Sequence, residues 1–384
     1  MSRPSAVVVG GIGKLPYAGV SLYYLHYLVG LRELGYRVHY VERQEGPFQA
    51  YDPDADAMTD RPDFALRYLS AIAGRFGFAE SWSFVDRAGA CHGAAWKDLR
   101  DVLDRADFVL TVADPTWFDD LGRCRRRVFV DGDPMFTQVA LAKRSGSRAE
   151  APPHYDTLFT YASRIGREGC LVPNAGREWL PTRPVVATAC WDQPPPPARG
   201  PFVALMHWAA GAEVDHEGRS FGHKGREFQR FLELPRRRPG DYVLAAGGPG
   251  VPREVLAARG WRLVGPLSVT GSVDAYRRFI AGARADLGIA KHAYVASRSG
   301  WFSDRSTCFL ASGRPVLHQD TGYTDWLATD EGVLPFSDLD SLVEAVDRLD
   351  RDYVRHARAA RRIAERHFEA SVVIAEMLEA AGLR

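Results

Sequence analysis

The chain has 384 residues, 46% hydrophobic and 25% charged, enough apolar material for two globular domains and too much for a disordered chain. A formal net charge of +1 argues against a surface that binds a polyanion over its whole extent, so no nucleic acid polymer is expected as a partner. MSRPSAVVVGG is too short an apolar run for a signal peptide, no stretch reaches a membrane helix of about 18 apolar residues, and the cysteines lack CxxC pairs; a soluble cytoplasmic protein without a zinc site is predicted.

In chain order, AVVVG predicts a first strand, VSLYYLHYLVGLREL a helix stopped by Gly35, and RVHYVE a second strand, which makes a βαβ unit. AAWKDLRDVLDRA predicts a helix, and DFVLTVA, RRVFVD and DTLFTYA predict strands, giving an open, mostly parallel α/β sheet with helices on both faces. WDQPPPPARG, residues 191–200, holds four consecutive prolines and reads as a stiff linker. The alternation then restarts: FVALMHW, DYVLAAGG, WRLVGP, ADLGIAK and RPVLHQD as strands, with helices in KGREFQRFLEL, REVLAAR, VDAYRRFIAGA, DRSTCFLA and within residues 338–381. Two such halves leave a cleft between them, with ligands expected at the carboxyl ends of the strands.

Residues 297–327, SRSGWFSDRSTCFLASGRPVLHQDTGYTDWL, carry the strongest chemical signal. Ser303 is placed to cap a helix from Asp304 to about Ser312, with Gly313 as its stop, and the N–H groups at such a helix start favour phosphate. Arg298 and Arg305 flank that turn beside Ser299, and paired guanidiniums suit a diphosphate. The plainer reading pairs Arg305 with Asp304 on the surface.

ASGRPV followed by Gln319, Asp320, Thr321 and Gly322 resembles the corresponding run of retaining glycosyltransferases of the GT-B fold. The resemblance implies two Rossmann-like domains facing a central cleft, with that helix and the Asp320–Gly322 loop holding the donor nucleotide and diphosphate. The pair of glutamates usual in that family falls here at Gly300 and Cys308, neither acidic; Asp304, one turn before Cys308 on the same face, is the substitute candidate. The pattern is similar to bacterial members with SGWFSDR at this place. FGHKGREFQRFLELP resembles the same family's Lys-Gly helix start, which implies that Lys224 reaches the diphosphate and neutralises it as it leaves.

Further donor contacts are expected at strand ends, from His207 and Trp208 and from Lys291 and His292. GGIGKLPYAGV fits neither GxGxxG, since Pro16 stands at its last position, nor a P-loop, since Leu15 replaces the Ser or Thr. Glycines after a first strand allow close approach of a ligand, and the resemblance to GT-B enzymes implies that this loop faces the donor phosphates and acceptor across the cleft, with Gly13, Lys14 and Tyr17 as candidates, against a plain tight turn. Asp131 and Asp133 follow a strand end; either is a general base if the reaction inverts, or both make Asx turns.

The expectation is a metal-independent, retaining glycosyltransferase that uses a nucleotide sugar as co-substrate and no other cofactor, with Lys224, Arg305 and Asp133 in the catalytic roles. The expected boundaries are 1–190 for the acceptor-side domain, 191–200 for the linker, 201–366 for the nucleotide-sugar domain and 367–384 for a C-terminal helix returning to the first domain. A sugar-nucleotide epimerase and a non-catalytic sugar-nucleotide binder are the competing readings.

Overall fold

Val7, Val8 and Val9 have no exposed surface, because the strand they form is covered on both faces, as a parallel strand with flanking helices must be. The structure, a computed structural model, describes residues 3–44, 50–94, 96–144, 147–197, 199–209 and 211–384. The first half contains β1 (Ser5–Val9), β2 (Arg37–Arg43), β3 (Ala50–Asp52), β4 (Ala57–Thr59), β5 (Trp82–Val85), β6 (Cys91–Gly93), β7 (Phe108–Val112), β8 (Arg127–Asp131), β9 (Thr157–Thr160) and β10 (Leu180–Pro181). The second contains β11 (Phe202–His207), β12 (Val214–His216), β13 (Arg219–Phe221), β14 (Tyr242–Gly247), β15 (Arg262–Val264), β16 (Ala285–Gly288), β17 (Val316–Gln319) and β18 (Val333–Phe336).

Among the described residues one sheet has the order β10-β9-β8-β7-β1-β2-β5-β6 and the other β15-β14-β11-β16-β17-β18. All neighbours are parallel except the edge pair β5 and β6. Strand order reverses between β1 and β7 in the first sheet and between β11 and β16 in the second, and such a reversal opens a crevice at the carboxyl ends of the strands. The hairpins β3–β4 and β12–β13 stand outside both sheets.

The first helix spans Ala18–Glu33, and Gly35 follows it with φ +93°. The stretch Lys224–Leu234 is broken, contrary to the single helix expected: a helix over Lys224–Phe228 gives way to a tight turn, and a new helix starts at Leu234. Pro235 in the first turn explains the restart, since a residue without an N–H is at home there and not in a continuous helix. The helix before β7 spans Trp96–Arg105; Ala95 of the expected segment, like Ala198 of the proline-rich stretch, lies outside the described residues.

The final helix, Ala370–Ala380, lies against Ala18–Glu33 in the first half. Gly30 permits the approach: a Cβ there would stand 2.7 Å from Ile374 Cδ1 and 2.8 Å from Ala370 Cβ. The chain leading into that helix pairs with Val186, whose N–H donates to the Phe368 carbonyl at 2.7 Å and whose carbonyl accepts from Ala370 at 3.0 Å. One hydrophobic core extends from the first sheet into the second half through Trp191, Tyr276, Trp301 and Phe302. No helix among the described residues is long and apolar enough to cross a membrane.

Candidate functional site

A cleft of about 1320 Å³ lies where the two crevices meet. The first half lines it with Gly10 and Gly11 after β1, Ala113 and Asp114 after β7, and Gly132 and Asp133 after β8; the second with His207, Gly247, Gly248, Lys291 and Ser303–Arg305. Polar groups converge on its floor.

The helix Asp304–Ala311 begins at this floor, and Ser303 caps it by accepting from the Ser306 N–H at 3.4 Å. Gly313, at φ +72°, follows its end. Burial pushes the Asp304 carboxyl up, while Lys224, Arg305 and the backbone N–H groups of residues 304 and 305 oppose the rise. The carboxylate therefore draws on the same N–H groups that a phosphate would use. Lys224 starts the neighbouring short helix, with its ammonium 5.9 Å from the centre of the Trp301 ring. Burial, with the Arg305 charge added, brings it down from the ordinary lysine range to about 7. Such a group regains its full charge when an anion arrives beside it.

Arg305 does not pair with Asp304. Its guanidinium donates to the Leu205 carbonyl and lies 3.3 Å from each carboxylate oxygen of Asp286 on β16, which the Ser306 hydroxyl also holds at 2.6 Å. The arginine is thus fixed from below with its side chain 10% exposed, a rigid cation in the cleft wall.

The two aspartates after β8 divide the roles expected of them. Asp131 is fully buried and accepts from Thr137 (2.9 Å), Gln138 (2.8 Å) and Thr160 (3.0 Å), and the Asp133 N–H turns back onto it at 3.3 Å, so Asp131 makes the turn and has no route to a substrate. Asp133 faces the cleft, held by Lys291 at 2.7 Å, by the Tyr294 hydroxyl and by Arg148 at 3.3 Å. Burial alone would raise its carboxyl, but Lys291 and Arg148 outweigh burial and hold it below the usual carboxylate range. The geometry gives it a bridging place between the halves, with three donors on its oxygens, where a general base was expected if the reaction inverts.

The glycine loop after β1 is also occupied. Glu42 on β2 accepts from the N–H of Gly13 at 2.8 Å and of Lys14 at 2.5 Å, and from the Tyr40 hydroxyl at 3.0 Å. Burial raises its carboxyl to about 7. Gly13 is correspondingly turned away from the cleft, its missing Cβ pointing at Ala65 and Phe84, and is not a donor contact. Lys14 and Tyr17 do line the cleft, Lys14 in an ion pair with Asp114 at 2.7 Å.

Nine expected residues reach the cleft wall: Lys14, Tyr17, Asp133, His207, Lys224, Lys291, Ser303, Asp304 and Arg305. The others stand elsewhere. Trp208 is 6% exposed and packs on Phe228 in the second core, because the strand's alternation turns it opposite to His207. His292 accepts from the Gly222 N–H at 3.1 Å through Nδ1, and it is Lys291 beside it that enters the cleft. Arg298 is exposed outside the cleft. Ser299 passes its carbonyl to the Arg164 N–H at 3.0 Å, Thr321 bonds the Trp301 carbonyl at 2.5 Å, Asp320 accepts from Gly322 at 2.8 Å, and a Cβ at Gly322 would meet Arg164.

These last residues form the seam between the halves. Gly300 explains why the seam excludes a glutamate: at φ +78° its absent Cβ would stand 2.1 Å from Ser163 Oγ and 3.1 Å from the Arg164 nitrogen. Trp301 next to it donates to the Gly132 carbonyl at 3.2 Å and lies 4.4 Å from the Tyr294 ring. The residues missed from sequence include Arg43, Tyr23, Tyr51, Asp56, Asp114, Arg148, Arg253, Tyr294, Trp301 and the Gly247–Gly248 pair. The glycine pair carried a readable signal, a strand running into glycines, as at Gly10–Gly11.

Residues 226–379 match the model of a family described as glycosyl transferase-like. No curated protein matches the chain significantly. Among solved structures, an alpha-glucosyltransferase in complex with UDP superposes with a TM-score of 0.60 at 10% identity, covering 99% of this chain and 100% of the other. HepE from Anabaena, in complex with UDP and glucose, gives 0.57 at 11% identity over 98% and 100%, and AviGT4, a glycosyltransferase involved in avilamycin A biosynthesis, 0.54 at 13% over 99% and 97%. The chain thus has the GT-B fold, and its second half carries a region that matches the glycosyl transferase-like family.

Proposed function

We propose that this protein transfers a sugar from a nucleoside diphosphate sugar to an acceptor hydroxyl, with the diphosphate seated between Lys224, Arg305 and the start of the helix Asp304–Ala311. The observation that carries the reading is the convergence of a partly buried lysine with depressed proton affinity, a rigid arginine and a helix N-terminus on one floor of the cleft. Fixed cations there stabilise the charge that grows on the leaving diphosphate without reorganising, the role a divalent ion fills elsewhere, so the transfer proceeds without metal.

In the step itself the bond from the sugar anomeric carbon to the diphosphate oxygen breaks and a bond to the acceptor oxygen forms. The acceptor proton passes to the departing diphosphate oxygen. Retention of configuration is supported by the state of the two aspartates after β8: Asp131 is sealed and Asp133 is neutralised, so neither is available as the base that inversion requires. Asp304, within the electrostatic reach of Lys224, takes the place of the absent glutamate on donor hydroxyls once an arriving phosphate displaces its carboxylate from the N–H groups of residues 304 and 305.

Calorimetry with UDP, GDP, ADP and dTDP in the presence of a chelator tests the reading. One of them is expected to bind with undiminished affinity and the matching sugar nucleotide to turn over; binding that vanishes in chelator and returns with magnesium overturns the cationic site, and absence of any nucleotide binding overturns the function.

A further inference from the structure

Tyr51 on β3 and Tyr17 at the entry of the first helix lie ring to ring at the mouth of the cleft, centroids 5.2 Å apart and 34° between planes, with the Tyr51 hydroxyl on Asp56. The Tyr51 N–H donates to the Lys14 carbonyl at 2.9 Å, which fixes the β3–β4 hairpin onto the loop after β1. Leu15 on that loop, 36% exposed, also lines the mouth. The interior offers aromatic residues many sheltered positions, yet these are held half-exposed in a cavity wall and bordered by Asp56, Asp114, Lys14 and Arg43.

Such a wall suits one chemistry. A pyranose ring has a flat C–H face that packs on an aromatic ring and a rim of hydroxyls that bond carboxylates and cations. Along the first helix Tyr17 precedes Tyr23, another cleft residue, by about 9 Å of helix axis. Tyr23 in turn lies within the electrostatic reach of Asp304. A ring seated on the tyrosines therefore stands on the acceptor side of the floor, one short span from the donor end.

Charge argues against a polyanion at this mouth. Of the five aspartates in residues 50–63, Asp54, Asp60 and Asp63 pair with Arg67, Arg87 and Arg61, while Asp56, the one that lines the mouth, has no cation paired with it among the described residues. Of the cations beside it, Lys14 is offset by Asp114 and Arg148 shares Asp133 with Lys291. With Asp56 and Asp114 set against Lys14 and Arg43 the mouth has no excess of cations, so a phosphodiester backbone gains no net attraction here while a neutral glycoside meets hydrogen-bond acceptors.

Building on the proposed glycosyl transfer, we infer that the mouth formed by Tyr17, Tyr51, Asp56 and the Lys14–Asp114 pair is the acceptor subsite and takes a neutral pyranoside ring, so the product is an extended saccharide or glycoside. Saturation-transfer NMR with a panel of methyl glucosides, galactosides, mannosides, rhamnosides and N-acetylglucosaminides, with and without UDP, tests it. At least one glycoside is expected to bind, with the signal lost in Tyr51→Ala and kept in Tyr51→Phe, and with UDP affinity unchanged within twofold in both. If none of the panel binds, or if a DNA duplex competes at micromolar concentration with a dependence on Tyr51, the assignment falls. UDP binding is read in the same samples, so its absence identifies a failure of the donor-site reading and leaves the glycoside signal to stand or fall alone.

Discussion

Lys291, from the strand end of the second half, reaches the carboxylate of Asp133 in the first at 2.7 Å. Lys291 also lies over the Phe136 ring at 4.6 Å, and Arg148 and Tyr294 complete the enclosure of Asp133. The cluster joins the halves across the floor and offsets the charge of the one aspartate after β8 that lines the cleft.

Asp133→Asn is therefore expected to lower kcat less than about tenfold, with the larger effect on substrate KM, because the amide keeps the size and one acceptor of the bridge. A loss in the 10²–10⁴ range typical of a removed general base, measured in steady state with folding checked by circular dichroism, reinstates Asp133 as the base.

Lys224→Ala is expected to weaken UDP binding by about 1.5–3 kcal/mol while uridine binding changes little, since the lost contact is a charge-assisted bond to phosphate. Isothermal titration of both ligands decides: equal losses place the ammonium away from the diphosphate.

The depressed lysine also sets a pH dependence. Lys224 titrates at about 7 in the free protein, so above that pH a bound diphosphate must recharge it by taking up a proton. Wild-type affinity for UDP is expected to fall as pH rises from 7 to 9, by up to about tenfold per unit, and Lys224→Met is expected to abolish that slope. Calorimetry in buffers of different ionisation enthalpy reads the proton directly, and an equal slope in both proteins refutes the assignment.

Glu42 gives a stability prediction of definite sign. Its carboxyl is raised by burial from the ordinary 4.5 to about 7, so between those values the folded state binds more protons than the unfolded state. Its contribution is present below about pH 4.5 and is lost as pH rises through 7. Glu42→Gln removes this dependence and leaves one loop N–H facing an amide NH₂, costing about 1–3 kcal/mol. Denaturant melts of both proteins between pH 5 and 8 test it: the stability gap between wild type and variant is expected to narrow as pH rises.

Gly300→Ala is expected to cost more than about 1 kcal/mol, since alanine at a positive φ is strained and its methyl meets the backbone of Arg164. A melting temperature within a degree of wild type means that the seam gives way at no cost.

The sequence by itself determined the two restarting α/β halves, the cap at Ser303, the stops at Gly35 and Gly313, and that Lys224 and the Asp304 helix start face the cleft. These are local: apolar runs fix strands, caps and glycines fix helix ends, and strand ends fix where ligands gather. Tertiary structure alone decided which polar residues reach the cleft. Trp208 and His292 turned inward or sideways while their neighbours His207 and Lys291 turned toward the cavity, a difference set by which side of the strand end and of the helix entry packs on the core. Gly13 lost its N–H to Glu42, which lies 29 residues away, and Asp133 lost its basicity to Lys291, 158 residues away. Long-range partners of this kind leave no periodic or spacing signal, because the energy that selects them comes from burial and charge meeting only after the halves have packed.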